Sequence, residues 1–270
     1  MNHLYEGLKM NNNEFNALMR DLAEISGKII LPLFRTNTFA EDKSRGAVFD
    51  PVTDADRNSE FAMRARIKQA FPDHGLIGEE YGLENEHAEF VWVLDPIDGT
   101  KSFISGSPLW GTLVGLMQAG KPVLGMMNQP FTRETFLGDG ASATWTGFEG
   151  ISHALHVRPC ADLSSATLLT TSPMLISPHL RPAYTRVEQN IRLPRYGGDC
   201  YIYCQLALGQ ADLVIEAGLK PHDIVALIPI IEGAGGIITT WDGGDAAKGG
   251  AIVAAGDRRV HAQALELLNA

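Results

Sequence analysis

Cysteine is almost absent from this 270-residue chain, and the three present, Cys160, Cys200 and Cys204, make an odd count without metal-ligand spacing. That argues against a disulfide framework or a cysteine-ligated zinc site and makes a reducing cytoplasm the expected location. Cys200 and Cys204 stand four apart, which on a helix stacks them on one face as small buried hydrophobes rather than as a redox pair. Basic runs are missing too. Lys and Arg number 22 against 32 Asp and Glu, for a net charge of −10. With no clustered basic stripe, the sequence offers no nucleic-acid surface. No segment approaches the ~20 apolar residues of a membrane span. The opening, Met1-Asn2-His3-Leu4-Tyr5-Glu6-Gly7, lacks both the basic start and the apolar run of a secretory signal. Residues 1–9, ahead of a second methionine at Met10, read as a loose extension or an early start.

What the chain does have is 45% hydrophobic residues, enough for one large domain or two closely packed ones. Phe15, Leu18, Met19, Leu22, Ile25 and Ile29 recur at helical spacing and predict a helix from Glu14 to about Leu31, capped by Asn13 and stopped by Pro32. A second helix is expected from Asp56 to Ala70, with Phe61, Ala65 and Ile67 toward a core. Short apolar strands follow at Leu76-Ile77, Val91–Leu94, Thr112–Met117, Val123–Met127 and Glu134–Leu137, with a hairpin turn at Gly120-Lys121. Gly138 to Gly150 turns to Gly, Ser, Ala and Thr, a loop or weak hairpin and a candidate boundary. Beyond it, strands at Ala166–Thr170, Leu213–Ile215, Ile237–Thr240 and Ala251–Ala254 interleave with helices at Tyr201–Ala207, Asp223–Glu232 and Asp257–Leu268. The class is layered α/β or α+β, with no internal repeat. The expected organisation is an N-terminal sub-domain, 10–140, of helices and an antiparallel or mixed sheet, and a C-terminal α/β sub-domain, 141–270, forming one catalytic unit.

The most informative stretch is Asp95-Pro96-Ile97-Asp98-Gly99-Thr100, delivered by the apolar run Val91-Trp92-Val93-Leu94. Neighbouring carboxylates at the end of a buried strand repel and resist desolvation, so a cation is expected between them. Other acids stand at element ends: Asp50-Pro51-Val52-Thr53-Asp54-Ala55-Asp56, Gly78-Glu79-Glu80 and Lys220-Pro221-His222-Asp223. Taken singly, Asp54, Asp56 and Asp223 read as helix caps. Oxygen-only ligands favour Mg2+, or Mn2+, over zinc. The residues alone also permit an aspartyl-phosphate route with Asp95 as nucleophile, although that chemistry wants its second Asp two residues on rather than three.

As an ordered set spanning nearly the whole chain, these motifs resemble the Mg2+-dependent, lithium-sensitive phosphomonoesterases of the inositol monophosphatase superfamily. The resemblance implies an α-β-α-β-α layered sandwich, two or three Mg2+ ions per site, and a homodimer acting on a small-molecule phosphate ester. It implies that Glu79, Asp95 and the Ile97 carbonyl ligate one metal and that Asp95, Asp98 and Asp223 ligate a second. Asp56 then works with Thr100, and with Glu79, on a water that attacks phosphorus in line without a covalent phosphoenzyme; Glu80 matches a neighbouring acid of weaker role. Gly99 and Thr100 can offer peptide N–H groups to phosphate, particularly if a helix starts there.

Past the shared motif the chain reads Lys101-Ser102-Phe103-Ile104-Ser105-Gly106, and later Arg195-Tyr196-Gly197-Gly198-Asp199-Cys200-Tyr201 and Leu219-Lys220-Pro221-His222-Asp223. These resemble the histidinol-phosphate phosphatase branch, where inositol phosphatases more typically carry Thr-Asn-Phe after the motif. His222 departs from the tryptophan common in the wider superfamily and reads as a group packed beside Asp223, with pairing to substrate as the alternative. The implied substrate, L-histidinol phosphate, carries an ammonium and an imidazole, so its pocket should present acids. Glu216, Asp199 or both are expected to accept the amine, with Asp98, Gly99, Thr100, Gly197 and Gly198 also touching substrate. Lys101 and Lys220 either soften the acidic charge or meet phosphate. The competing expectations are a phosphatase for inositol monophosphate, a sugar bisphosphate or a nucleotide 3′-phosphate, and a non-catalytic metal-binding regulator.

Overall fold

The computed structural model describes residues 6–36, 41–42 and 51–270. Residues 1–5 of the expected extension, and Asp50 at the head of the first acidic stretch, lie outside the described residues. Helix α1 (Glu6–Ile30) is followed by two short strands, β1 (Glu41–Asp42) and β2 (Pro51–Val52), which pair antiparallel. Helix α2 (Asp54–Ala70) leads to β3 (Gly75–Gly78), β4 (Gly82–Glu84), β5 (Phe90–Asp98), helix α3 (Thr100–Ile104), and the strands β6 (Gly111–Gln118), β7 (Lys121–Gln129), β8 (Glu134–Gly138), β9 (Ala143–Thr146) and β10 (Ser152–Ala154). Strands β3 to β10 form one sheet, in the order β10-β9-β8-β7-β6-β5-β3-β4, antiparallel except where β3 meets β5.

The remaining chain runs through β11 (Thr167–Thr170), α4 (Arg181–Glu188), β12 (Leu193–Tyr196), α5 (Tyr201–Ala207), β13 (Leu213–Leu219), α6 (Pro221–Ile224), α7 (Leu227–Gly233), β14 (Ile237–Thr240), β15 (Gly250–Ala255) and α8 (Arg258–Leu268). Its five strands form a second sheet, in the order β12-β11-β13-β15-β14.

Side-chain alternation along the strands sorts the apolar residues into layers. Val114, Leu116 and Met126 face α1 and α2 on one side of the first sheet, with Phe15, Leu22 and Met63. Leu113, Met127 and Phe136 face the opposite way and share a core with α5, α7 and the inner face of the second sheet, through Ile202, Ile230, Val214 and Ala254. The outer face of that sheet, with Leu213, Ile215 and Val253, is covered by Tyr184 and Val187 of α4 and by Val260 and Ala264 of α8. The layers therefore alternate α-β-α-β-α. Gly115, Gly125 and Gly138 lie side by side across β6, β7 and β8, and this smooth strip lets the α6–α7 segment rest on the sheet. A Cβ at Gly125 would fall 1.8 Å from the Ala226 carbonyl oxygen and one at Gly138 2.4 Å from that of Pro229.

Several expectations from the sequence need correction. Helix α1 runs through Asn11 to Asn13 rather than starting at an Asn13 cap, because an asparagine inside a helix costs only a few tenths of a kcal/mol. The β6–β7 turn is Ala119-Gly120, both with positive φ, and Lys121 already belongs to the strand. The stretch from Asp223 to Glu232 is not one helix: α6 ends at Ile224 and α7 restarts at Leu227, because the Pro229 ring clashes with the carbonyl four residues earlier in a continuous helix. On α2 the inward face includes Ile67 but not Phe61 or Ala65; Phe61 is 65% exposed.

Candidate active site

The pairing of β5 with β6 explains how Asp95 and Asp98 come together. Three residues apart on a regular strand, they would point to opposite faces. Their partners on β6, Leu113 and Gly111, are only two apart, so β5 carries one extra residue and bulges. The bulge returns both carboxylates to the same side. Thr112 helps hold it, its hydroxyl donating to the Pro96 carbonyl at 2.8 Å. The chain then turns at Gly99, whose φ of +87° suits glycine, and enters α3 at Thr100. Gly99 is demanded twice over, since a Cβ there would lie 2.9 Å from the Asp199 side chain.

Acids from other elements converge on this bulge. Glu79 leaves the end of β3, held by its peptide N–H donating to the Leu94 carbonyl at 3.2 Å. Carboxylate oxygens of Glu79 and Asp95 and a ring nitrogen of His222 lie within 4.8 Å of one another, as do oxygens of Asp95, Asp98 and Asp223. Asp223 is placed by α6, where it accepts the Lys220 peptide N–H at 2.7 Å, and His222 Nε2 sits 3.4 Å from Asp223 Oδ1. Asp98 accepts the Cys200 peptide N–H at 2.6 Å across the two halves of the chain. At the start of α2, Thr53 is the cap rather than Asp54. Asp56 Oδ2 completes the capping box by accepting the Thr53 peptide N–H at 2.8 Å and its hydroxyl at 2.6 Å.

Electrostatics follow from this crowding. Asp95, 2% exposed, titrates well above the usual carboxylate range, first because it is buried and then because Glu79, Asp98, Asp223 and Asp56 surround it. Asp98 is raised by loss of solvent and by Asp199 and Asp223, against the Cys200 hydrogen bond. Burial lifts Asp56 to about 7, with Thr53 opposing and Glu80 and Glu79 adding. Neither Asp95 nor Asp98 has an ion-pair partner among the described residues. Asp95, Asp98 and Asp223, hard oxygen donors held this close against mutual repulsion, fit a divalent cation, and beside Glu79 and Asp95 the third group is the His222 nitrogen rather than an oxygen. The Ile97 carbonyl accepts the Thr100 hydroxyl at 3.1 Å, which ties Thr100 to the bulge.

A cleft of about 820 Å³ opens over this cluster, lined by Glu79, Asp98, Gly99, Thr100, Lys101 and Lys220 on the way to Asp199 and Asp223. A smaller pocket of about 110 Å³ shares Asp98, Asp199 and Asp223 with it and reaches inward to Glu216 and Tyr203. Glu216, 7% exposed, is pushed up to about 7 by burial and accepts the Thr171 peptide N–H at 3.0 Å. Asp199, in a left-handed turn at φ +44°, is raised by desolvation and accepts the Ser102 hydroxyl at 2.6 Å. Gly197 lines the cleft; Gly198 does not, and a Cβ on it would meet Ile202 at 2.5 Å. Thr171 and Ser172 line both spaces without having been picked out from sequence, although a Thr-Thr-Ser run closing an expected strand was the available signal. Ser102 lies in the Lys101-to-Gly106 stretch that carries the resemblance, whereas nothing in the sequence points to Tyr203. Arg195 is exposed on β12.

A model of the inositol monophosphatase family matches residues 11–270. The chain is 46% identical over 267 residues to the chloroplastic bifunctional phosphatase IMPL2 of Arabidopsis thaliana, covering 95% of this chain and 75% of that one. It is 34% identical over 227 residues to a histidinol-phosphatase of Chlorobaculum parvum, with 84% and 85% covered. Among solved structures, an inositol monophosphatase from Zymomonas mobilis superposes with a TM-score of 0.85 at 38% identity, over 96% of this chain and 99% of the other. In sequence and in fold, this chain belongs to the inositol monophosphatase family.

Proposed function

We propose that this chain is a Mg2+-dependent phosphomonoesterase that hydrolyses L-histidinol phosphate to L-histidinol and phosphate, a step of histidine biosynthesis. The observation that carries the substrate is the placing of two acids, Glu216 and Asp199, in the pocket that opens off the carboxylate cluster. A neutral cyclitol would offer them only hydroxyl donors, whereas an ammonium or imidazolium would also offset the desolvation that raises both. The likeness to a histidinol-phosphatase adds support.

In this reading Glu79, Asp95 and the Ile97 carbonyl hold one Mg2+, and Asp95, Asp98 and Asp223 a second; Mn2+ suits the same oxygens. When bound, the cations lower the pKa of water and neutralise charge growing on the phosphoryl oxygens. The protein's own groups do the rest. Asp56, poised near neutral pH, takes up the proton released as the nucleophile forms, with Glu79 beside it, and Thr100, tethered to the Ile97 carbonyl, orders the attacking side. Gly99 and Thr100 offer peptide N–H groups to phosphate, and Lys101 and Lys220 line its approach. Asp199 and Glu216 fix the amine end. A homodimer in a reducing cytoplasm completes the proposal.

A second reading, an inositol monophosphatase, is favoured by the Zymomonas mobilis likeness. Phosphate release from histidinol phosphate, inositol 1-phosphate, fructose 1,6-bisphosphate and adenosine 3′,5′-bisphosphate, with Mg2+ or EDTA, separates the two. The expected result is the highest kcat/KM for histidinol phosphate and none in EDTA. An equal or higher kcat/KM for inositol 1-phosphate would reject the substrate, and activity indifferent to EDTA would reject the metal.

A further inference from the structure

Helix α2 turns an unusually polar face inward, burying Asp56, Ser59, Glu60 and Arg64 beside Met63 and Ile67. Asp56, Glu60 and Arg64 are spaced four apart and form one row along the helix. Glu60, 0% exposed, is fully engaged by the chain that follows β3. Its Oε2 accepts the Glu80 peptide N–H at 2.7 Å, and its Oε1 accepts the Tyr81 peptide N–H at 3.1 Å and Arg64 Nε at 2.8 Å. Arg64 in turn donates to the Gly82 carbonyl and approaches Glu84 at 3.8 Å. With the Glu79 N–H bonded to Leu94, three successive peptide N–H groups are pinned, one by the sheet and two by a single side chain. The approach is close: a Cβ at Gly78 would fall 1.8 Å from Glu60 Oε1.

A buried ion pair is a weak source of stability, because its desolvation cost rivals its attraction and an apolar pair of similar volume often serves as well. What Glu60 does that an apolar residue could not is fix the backbone from which Glu79 projects. We propose that Glu60, braced by Arg64, is a positioning residue that clamps the 79–81 turn so that the Glu79 carboxylate meets Asp95 at the cation site. The proposal rests on the reading of Glu79 as a metal ligand.

The test is Mn2+ binding to the full chain without substrate, followed by electron paramagnetic resonance, in the unsubstituted protein and in Glu60→Gln, Arg64→Lys and Glu79→Gln. A glutamine has one acceptor oxygen and sets its own N–H2 against a peptide N–H, so it opens one side of the clamp. Glu60→Gln, folded by circular dichroism, should weaken Mn2+ binding about tenfold, the effect typical of groups that orient metal ligands. Arg64→Lys should weaken it less, and in both variants kcat should recover at saturating Mn2+, a split that general destabilisation would not produce. Unchanged Mn2+ affinity in the folded variants, with Glu79→Gln still weakened, overturns the clamp alone. Should Glu60→Gln fail to fold, Arg64→Lys decides in the same way. Unchanged affinity in Glu79→Gln overturns the ligand reading itself, and the clamp with it.

Discussion

The two walls of the cleft hold their acids in different ways. On the first-sheet wall Asp95 is pressed by four other carboxylates, and after burial these neighbours dominate its behaviour. On the second-sheet wall Glu216 is also buried, but its own donor, the Thr171 peptide, acts on it before any acid does, and Asp199 likewise answers to Ser102 and Lys101. Acids that repel one another around a common point call for a shared cation. Asp199 also raises Asp98 and Glu216, but on the second-sheet wall each acid has its own hydrogen-bond donor ahead of any acid neighbour, which suits contact with a polar group of a substrate.

The sharpest way to break this division is to neutralise one acid on each wall. Asp95→Asn should abolish turnover of every ester, a loss of at least ~10²–10³-fold, because the cations it would hold supply several kcal/mol of transition-state stabilisation. Asp199→Ala should instead raise KM for histidinol phosphate by about 10-fold, the scale of one charge-assisted hydrogen bond, with a smaller change in kcat and little effect on inositol 1-phosphate. Equal losses on cationic and neutral esters would erase the distinction.

A second comparison uses pH in the presence of EDTA. Asp56 and Glu216 titrate near 7 when folded, against ordinary values of 3.8 and 4.5. Between those limits the folded chain keeps protons that the unfolded chain has released, so their contribution to stability is present at low pH and is lost as pH rises toward 7. Thermal melts from pH 4.5 to 8 should therefore show a shallower decline for Glu216→Gln, which has no proton to lose, than for the unsubstituted chain. Parallel declines would remove Glu216 from the account. The smallest effect is expected for Thr112→Val, which deletes the hydroxyl tying down the bulge; urea unfolding should register a loss of about 1 kcal/mol, and an unshifted midpoint would mean that the hydroxyl does not hold the bulge.

Much of the fold was legible because long apolar periodicities and turn residues act locally. Helix Tyr201–Ala207 and strand Ile237–Thr240 appear where the pattern placed them. The errors have local causes too. Pro229, within an otherwise apolar helical pattern, is the local signal for the break between α6 and α7. The inward face of α2 is hidden from the sequence because a buried row of Asp56, Glu60 and Arg64 has the pattern of a solvated face, and it is Thr53 for Asp56 and the segment after β3 for Glu60 and Arg64 that make burial tolerable.

The sequence alone determined the family and the stock of acids, since Asp95-x-x-Asp98 behind an apolar strand, Glu79 at a strand end and Asp223 opening a helix are visible as residues in order. Without the family resemblance, residue spacing does not say which acids share a centre. Spacing by three predicts opposite faces for Asp95 and Asp98, and only the extra residue against β6 reverses that. The partner of Asp98 is a peptide 102 residues away and that of Asp199 a hydroxyl 97 residues away. Proximity and burial set both the repulsion that demands a cation and the pocket that admits a substrate, and both arise only when the two sheets close on each other.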